Sequence, residues 1–286
     1  MFHFKQFDVE DNACAMKVGT DGVLLGGWAE PLCQRSGLSA TAVYQRSDLS
    51  AQLSFLDIGT GSGLIALMLA QRFPKARIVG IDIDEASARQ AAENFAASPW
   101  ADRLEAKHIS LQELTNYKLL NETASLNSQL STLNFQLIVS NPPYFRDALK
   151  CPKAGRKQAR HTDSLSYDEL IRCAAQLLAP DGVLALILPA EAESDILTLA
   201  AANGLRPLRI TRVHTNPTKP AKRILISFIK SDDSVSLSGA ADPSAERSYS
   251  ETVLQRSGLL KNEHTTLDAL NEPLLRDFYQ HDFRNR

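Results

Sequence analysis

The stretch Ser54-Phe-Leu-Asp-Ile-Gly-Thr-Gly-Ser-Gly-Leu-Ile-Ala-Leu-Met-Leu-Ala70 decides the fold. It begins with an apolar run that ends at Asp57, continues through the alternating glycines Gly59, Gly61 and Gly63, and passes directly into apolar residues at helical spacing. This succession predicts a strand, a tight turn and a helix. Glycine adopts positive φ without strain and leaves the backbone bare, so the turn can receive a ligand. The first N–H groups of the helix add unpaired donors beside it.

The spacing of these glycines separates two classes of nucleotide cofactor. The dinucleotide fingerprint G-x-G-x-x-G/A requires a small residue where Leu64 stands, and a bulky side chain there would block close helix–strand packing. The order Asp57-x-Gly59-x-Gly61-x-Gly63 resembles instead the first motif of class I S-adenosylmethionine-dependent methyltransferases. The alternative is a glycine-rich turn that binds no ligand, and a second sequence element disfavours it.

That second element is the strand pattern Arg77-Ile-Val-Gly-Ile-Asp82, which ends in a carboxylate. An acid about 20 residues beyond a glycine turn accepts hydrogen bonds from the hydroxyls of a ribose, and it would repel a 2′-phosphate. Asp82 is therefore expected to bind the adenosine ribose of the cofactor. Alternatively, Asp82 caps the helix that begins near Asp84, and the two acids could share the two roles.

A second glycine-rich segment precedes the first core strand. Thr20-Asp-Gly22 predicts a turn or an N-cap that leads into a short helix ending at Trp28. If the start of this helix lies beside the glycine turn, it can bind the methionine carboxylate of the cofactor, and Lys17 can add a charge-assisted contact. The alternative is a flap that only covers the sheet.

The rest of the chain alternates strand and helix patterns. Strands are predicted near 103–109, 135–140, 183–188, 206–213 and 223–229, and helices near 84–97, 166–178 and 191–202. This alternation predicts a parallel sheet covered on both faces, and the last two strands, with no helix between them, predict an antiparallel pair at one edge. We expect one domain over 1–230 with an N-terminal flap at 1–30. Composition predicts surface insertions near 34–52 and 111–134, a polar linker at 231–262 and a C-terminal helical segment at 263–286.

The fourth core strand runs directly into Asn141-Pro-Pro-Tyr144. Ligands of open α/β sheets bind outside the carboxyl ends of the strands, so this turn should lie next to the glycine turn. The two prolines remove two N–H donors, and the Asn141 side-chain oxygen and the Pro142 carbonyl can both accept from a single NH₂ group. Tyr144 offers a ring on which a base can stack. The pattern predicts methyl transfer to an amine, although an Asn-Pro turn can also simply end a strand.

A basic window follows this turn in a chain whose formal net charge is −2. A polyanionic partner must therefore meet a local patch, and a window beside the catalytic turn predicts a phosphate-contacting loop. The alternative is a solvated surface loop. The candidate RNA-binding residues are Arg146, Lys150, Lys153, Arg156, Lys157 and Arg160.

The remaining bulk properties exclude several classes. No apolar run among the 286 residues reaches the roughly 18 residues that span a bilayer, and the first residues lack a signal-peptide core. We expect a cytoplasmic protein with no membrane partner. The four cysteines form no C-x-x-C pair and no zinc spacing, so no metal is expected.

Taken together, these residues resemble the bacterial tRNA(Val) adenine-N6-methyltransferase family. The resemblance rests on Phe4-Lys-Gln-Phe7, on 14–28, on Leu56-Asp-Ile-Gly-Thr-Gly-Ser-Gly63 and on Asn141-Pro-Pro-Tyr144, and it extends through Ser98-Pro-Trp100, Gln158-Ala-Arg160 and the tail 274–279. It implies a Rossmann-like class I fold with a seven-stranded, mostly parallel sheet whose last strand is antiparallel.

The resemblance also implies a reaction. The donor would be S-adenosyl-L-methionine and the acceptor adenine 37, on the 3′ side of the anticodon of tRNA(Val), with Asn141, Pro142 and Tyr144 as catalytic residues. The chain lacks the acid that often binds the cofactor adenine after the third strand, and Ser110 stands roughly there. Alternatives are a methyltransferase of an rRNA guanine or a protein glutamine, a non-catalytic RNA-binding protein of this fold, and a dehydrogenase.

Overall fold

The computed structural model describes residues 1–14, 16–32, 53–123, 134–143, 165–214, 218–231 and 248–253. Its strands are β1 (Phe2–His3), β2 (Asp8–Val9), β3 (Leu53–Ile58), β4 (Ala76–Asp82), β5 (Leu104–His108), β6 (Phe135–Ser140), β7 (Leu178–Pro189), β8 (Leu205–His214), β9 (Arg223–Lys230) and β10 (Ser248–Val253). Its helices are α1 (Thr20–Trp28), α2 (Leu64–Arg72), α3 (Glu85–Ala96), α4 (Leu111–Thr123), α5 (Tyr167–Leu177) and α6 (Glu193–Ala202). None of these helices is long and apolar enough to cross a membrane.

The large sheet has the strand order β10-β8-β9-β7-β6-β3-β4-β5. Strands β3 to β7 pair in parallel, and β9 is antiparallel to both β7 and β8. The predicted seven-stranded, mostly parallel sheet with its antiparallel last strand is therefore confirmed. The strand order reverses at β3, which pairs with β4 on one side and with β6 on the other. Ligands of open α/β sheets bind at such a switch point.

Helices cover both faces of this sheet, as the alternation predicted. The side chains of β7 point alternately to the two faces and divide the core into two clusters. Val183, Ala185 and Ile187 pack with α1, α2 and α3 on one face. Leu184 and Leu186 pack with α4, α5 and α6 on the other face. The central strand is thus buried on both sides, which explains its continuous apolar sequence.

One predicted insertion is partly a core helix. Composition alone assigned 111–134 to a surface insertion, but Leu111–Thr123 forms α4. The buried residues Leu111, Leu114, Thr115 and Lys118 recur at i, i+3, i+4 and i+7, the spacing of one helix face. The Lys118 ammonium donates to the Gln176 carbonyl at 2.7 Å, so its buried charge has a partner. The helical period, hidden among serines and asparagines, is what the compositional argument missed.

The stretch predicted to be a polar linker contains a strand. Within 231–262, the segment Ser248–Val253 forms β10, which pairs in parallel with β8 and extends the sheet to eight strands. A free edge next to β8 offers unpaired N–H and C=O groups, and any chain of moderate β propensity can satisfy them. Apart from Ser231, the remainder of that range lies outside the described residues, as do the predicted insertion at 34–52 and the helical segment at 263–286.

The N-terminal segment packs onto the face that carries α2 and α3. Phe4 and Phe7 stack at 4.7 Å between ring centroids, and the edge of Phe7 meets Trp100 at 5.6 Å. Helix α1 then lies directly against α2, because two glycines on α1 permit close approach. A Cβ on Gly22 would lie 3.3 Å from the Leu64 side chain, and one on Gly26 would lie 2.7 Å from the Met68 sulfur.

This packing fixes the direction of α1. Gly22 meets the first turn of α2 and Gly26 meets its middle, so the two helices run parallel and their N-termini lie at the same end. The N-terminus of α2 adjoins the glycine turn. The start of α1 therefore lies beside that turn, which meets the condition that the sequence left open.

Candidate active site

The glycine turn and the Asn-Pro-Pro turn meet at one edge of the sheet. Strands β3 and β6 are parallel neighbours, and Ile58 pairs with Ser140 in their register. The Ser140 hydroxyl donates to the Ile58 carbonyl at 2.9 Å, which joins the two strand ends. Gly59 and Asn141 are the residues that follow this pair. The prediction that the two turns lie side by side is confirmed.

The three glycines of the turn share a left-handed backbone and differ in their surroundings. Their φ angles are 69° at Gly59, 56° at Gly61 and 80° at Gly63. A Cβ on Gly63 would collide with the ring of Phe95, whereas one on Gly59 or Gly61 would meet nothing within 4 Å. Gly63 is thus required for packing. Gly59 and Gly61 leave an open cradle along bare backbone, which fits an extended nucleoside cofactor.

The structure assigns one of the two roles that the sequence left open between Asp82 and Asp84, the cap of α3. The Asp84 side chain accepts from the Ser87 N–H at 2.9 Å and caps α3, so Asp84 is the helix cap. Asp82 is half-buried and accepts from the Gly61 N–H at 2.9 Å and from the Asp84 N–H at 2.9 Å. These bonds hold its carboxylate against the middle of the glycine turn, where the ribose of a bound nucleoside would lie.

Asp57 lies beneath the turn and is fully buried. Its Oδ2 accepts from the Thr60 hydroxyl at 2.8 Å, whereas its Oδ1 has no hydrogen-bond partner among the described residues. Burial raises the pKa of Asp57 to about 7, although the bonds from Thr60 and from the Ala66 N–H act in the opposite direction. Asp57 therefore supports the turn from below and titrates near neutral pH.

The raised pKa of Asp57 predicts a pH-dependent stability. The folded state holds this proton up to about pH 7, whereas the unfolded chain releases it near pH 4. The contribution of Asp57 to the free energy of unfolding is therefore largest below pH 4 and decreases as the pH rises from 4 to 7. Above pH 7 it no longer changes, and the total decrease is about 4 kcal/mol. Urea unfolding of wild type and Asp57→Asn between pH 4 and 8 measures it. Parallel curves for the two proteins would contradict the assignment.

Asn94 joins three parts of the site. The residue is buried on α3, and its Nδ2 donates to the Glu10 carbonyl at 2.7 Å and to the Ser62 carbonyl at 2.8 Å. Its Oδ1 accepts from the Glu10 N–H at 3.1 Å. One amide thus links the N-terminal segment, the glycine turn and α3. Asn94 could not be predicted from the sequence, because no local pattern distinguishes it from a surface asparagine of an amphipathic helix.

Asn94→Ala should loosen the N-terminal segment and the glycine turn together. The substitution leaves buried carbonyls unpartnered, and we expect a loss of about 3 kcal/mol in unfolding free energy together with weaker cofactor binding. Chemical denaturation and cofactor titration measure the two effects. The matched control is Asn203→Ala at the end of α6, where the side-chain amide donates to the nearby Leu199 carbonyl at 2.9 Å. Equal effects of the two substitutions would contradict the linking role.

The other predicted cofactor residues lie around the same edge with differing partners. Lys17 is exposed, and its Nζ donates to the carbonyls of Asp11 and Asn12 at 2.6 and 3.1 Å. Thr20 is the exposed first residue of α1. Ser110 precedes α4, where its backbone N–H donates to Glu113 Oε2 at 2.9 Å and its hydroxyl accepts from the Glu113 N–H at 3.1 Å. This reciprocal pair is a capping box, so Ser110 has a structural role at least.

The acceptor side of the site includes a residue that the sequence analysis missed. Asn141 is half-buried and Pro142 is buried. The Asn141 Nδ2 lies 3.7 Å from the sulfur of Met16, which the N-terminal segment contributes. Tyr144 and the six candidate RNA-binding residues lie outside the described part of the chain.

A third residue that was not predicted is Ile83, which is 56% exposed between Asp82 and Asp84. An exposed apolar side chain beside Asp82, the acid expected to bind the ribose, offers a surface on which a flat purine can lie. The sequence signal was available, because an isolated isoleucine between two acids at a strand end is unusual for a solvated turn.

Arginines of the late strands are used in ion pairs. Arg209 pairs with Glu30 at 3.2 Å and lies over the Trp28 ring, 4.5 Å from its centroid. Arg223 pairs with Asp21, in the first turn of α1, at 2.9 Å. The latter pair fastens the N-terminal end of α1 to the start of β9, and thus to the edge of the sheet that carries the site.

Comparisons with known proteins agree with this geometry. A family described as a methyltransferase domain matches residues 55–142. A protein of Phocaeicola vulgatus named tRNA1(Val) (adenine(37)-N6)-methyltransferase is 43% identical over 253 residues, which are 88% of this chain and 94% of that protein. A protein of the same name from Pectobacterium carotovorum is 37% identical over 255 residues, or 89% and 90% of the two chains. A predicted O-methyltransferase from Agrobacterium tumefaciens has a crystal structure similar to 90% of this chain and 96% of its own, with a TM-score of 0.52 at 17% identity, which supports the fold alone.

Proposed function

Because this chain belongs to the tRNA1(Val) (adenine(37)-N6)-methyltransferase family, we propose that it methylates the exocyclic amine of adenine 37 in tRNA(Val). S-Adenosylmethionine is the methyl donor. The observation that carries the proposal is the position of Asn141 directly beside the glycine turn, at the switch point of the sheet. An amine held at Asn141 would face a cofactor that lies along Gly59 and Gly61.

The residues proposed to bind the cofactor are Lys17, Thr20, Asp57, Gly59, Gly61, Gly63, Asp82, Ser110 and Asn141. The open cradle at Gly59 and Gly61 supports contact between cofactor and backbone. The carboxylate of Asp82 is fixed by the Gly61 N–H and can accept from the ribose hydroxyls. Asp57 and Gly63 act on the shape of the turn, since one lies beneath it and the other packs on Phe95.

The start of α1 is proposed to receive the methionine carboxylate. The N-termini of α1 and α2 lie side by side, and the unpaired N–H groups and helix dipoles of both favour an anion. Lys17 is already bonded to two carbonyls of its own segment. Its charge is therefore held near this end of α1, where it adds to the attraction.

On the acceptor side, Asn141 and Pro142 are proposed to hold the target amine. The Asn141 side-chain oxygen and the Pro142 carbonyl each accept one N–H of the NH₂ group, which favours the pyramidal geometry and directs the nitrogen lone pair at the methyl group. When bound, S-adenosylmethionine supplies an electrophilic methyl group on a sulfonium. The amine can lose its proton after attack, so neither a metal nor a general base is required. Tyr144 is proposed to stack on the base, which must leave its own stack or already lie in a loop.

Binding of the RNA backbone is proposed to rest on the basic window. Arg146, Lys150 and Lys153 follow the Asn-Pro-Pro turn closely, and Arg156, Lys157 and Arg160 continue the window. Such side chains bind phosphates and position an RNA without reading its bases. Selection of the valine isoacceptor therefore requires base contacts or loop shape in addition to this charge.

The test uses transcripts that lack modification. Purified protein is mixed with labelled S-adenosylmethionine and either tRNA(Val), tRNA(Val) with guanine at position 37, or a second tRNA that carries adenine 37. We expect N6-methyladenosine at position 37 in the first transcript only, measured by digestion and nucleoside mass analysis. Label in the guanine-37 transcript would contradict the proposal that adenine 37 is the methylated base. Equal label in the second tRNA would overturn the valine preference alone.

A further inference from the structure

Met16 is an apolar side chain exposed at the reaction site. It is 46% exposed, although thioethers in folded proteins are mostly buried. Its sulfur lies 3.7 Å from Nδ2 of Asn141, a residue 125 positions away in the sequence. The contact therefore results from the tertiary fold and brings the N-terminal segment to the group proposed to hold the target amine.

The backbone that carries Met16 is fixed on both sides. Before it, the Asp11 carboxylate is buried and accepts from the Val18 N–H at 2.9 Å, which closes a loop around Met16. The Lys17 ammonium closes the same loop through the Asp11 carbonyl. After it, α1 packs on α2 through Gly22. The exposed thioether is thus presented by a braced loop, so its position beside Asn141 is a property of the fold.

The contact has a consequence for the Asn141 amide. Nδ2 and Oδ1 diverge from the same carbon, so a contact that holds Nδ2 also sets the direction of Oδ1. Sulfur is a weak acceptor with no donor capacity, and it can therefore pair with the NH₂ end of the amide but not with the oxygen end. Met16 selects the amide orientation in which Oδ1 is directed away from the sulfur, and Oδ1 is the atom that must accept from the target amine.

We propose that Met16 is part of the acceptor site: its sulfur orients the Asn141 amide, and its exposed surface packs against the ring of the target adenine. A thioether packs favourably against aromatic rings, and an unbranched side chain adapts to the shape of an incoming base. This inference rests on the proposed function, because the base belongs to the RNA substrate.

A footprint tests the contact without catalysis. The chain has three methionines, of which Met1 is 60% exposed and Met68 is fully buried, so each serves as an internal reference for Met16. The rate of oxidation of a methionine to its sulfoxide depends on how exposed the thioether is. If unmodified tRNA(Val), bound together with S-adenosylhomocysteine, covers Met16, dilute peroxide should oxidise Met16 roughly fivefold more slowly, or slower still. Met1 should react at an unchanged rate and Met68 should stay unreactive. Peptide mass spectrometry measures the three rates.

Two substitutions test the role in turnover. Met16→Ala removes both the sulfur and the apolar surface, and we expect kcat/KM for tRNA to fall roughly tenfold to a hundredfold, as for a small misplacement of reacting groups. Met16→Leu keeps the apolar volume, so its KM should return most of the way to the wild-type value. Its kcat should return only in part, since leucine lacks the acceptor for Nδ2 of Asn141. Cofactor affinity should stay within about twofold for both variants. The control is Leu120→Ala, which alters an apolar residue that is 69% exposed on α4.

The outcomes separate this inference from the proposed function. Wild-type protein that leaves tRNA unmethylated overturns the proposed function. If wild-type protein methylates tRNA but Met16 is oxidised equally fast in the free and the RNA-bound protein, the inference about Met16 is wrong and the proposed function stands. Wild-type turnover by Met16→Ala, or loss of its cofactor affinity in parallel with its turnover, also overturns the inference.

Discussion

Asn141→Ala should lower the rate of methyl transfer by roughly 10²–10³-fold, the effect of removing one group aligned with a transition state. Asn141 directly follows Ser140, whose pairing with Ile58 holds the ends of β3 and β6 together. Without its oxygen, the target amine is held by the Pro142 carbonyl alone, and its lone pair is no longer directed at the methyl group. Cofactor affinity should change far less than the rate, because Asn141 is one of nine residues proposed to bind the cofactor, and the substitution leaves the glycine turn and Asp82 unchanged. Single-turnover rates with saturating protein, and calorimetric titration of the cofactor, measure the two quantities.

The control for this substitution is Asn134→Ala. Asn134 immediately precedes the other end of β6, and its Oδ1 accepts from the Lys118 ammonium at 2.9 Å. Both variants remove an amide at an end of the same strand, so any general effect on β6 appears in both. Turnover by Asn134→Ala should stay close to wild type. An Asn141→Ala protein that turns over at the wild-type rate would remove Asn141 from the reaction.

A set of three glycine substitutions should separate backbone strain, packing and ligand contact. Gly204→Ala, at φ 69° with open space around its Cβ, should cost about 1 kcal/mol from left-handed strain alone. Gly61→Ala has similar strain and space, but its Cβ enters the proposed cofactor cradle, so it should weaken cofactor binding roughly tenfold, or ~1.4 kcal/mol. Gly63→Ala adds a collision with the buried Phe95 ring and should lose about 4 kcal/mol of stability.

Thermal unfolding without cofactor and cofactor titration distinguish the three cases. Gly204 lies at the end of α6, on the other face of the sheet from Gly63, so Gly204→Ala reports strain without any effect on the site. The set is informative because the same chemical change is made at three similar backbone conformations. Cofactor affinity that is equally reduced in Gly204→Ala and Gly61→Ala would contradict the assignment of the cradle.

The sequence was sufficient for the parts of the site that are built from local patterns. Alternating glycines after an apolar run require left-handed turns, and the turn at Gly59–Gly63 has them. The juxtaposition of Asn141 with that turn followed from the general rule that parallel strands bring their carboxyl ends to one edge. The competition between Asp82 and Asp84 could not be resolved from sequence, because both acids stand at the proper distance from the turn and only the Ser87 bonds decide which one caps α3.

Two of the three residues that were not predicted act over long sequence separations. Asn94 and Met16 contact partners that are 84 and 125 residues away, respectively, and neither carries a local signature. Helix α4 was missed for a different reason, since its apolar period was masked by the serines and asparagines around it. Strand β10 depends on a free sheet edge, which exists only once β8 has been placed.

The amide of Asn94 is a direct structural link between the donor side and the acceptor side of the proposed site. It bonds the turn at Ser62 and the loop backbone at Glu10, and that loop leads to Met16 at the acceptor side. If the donor narrows the fluctuations of the turn, the same bonds narrow those of the loop. Thermodynamic reciprocity then sets a strict equality: whatever factor the donor adds to the affinity for RNA, the RNA adds to the affinity for the donor.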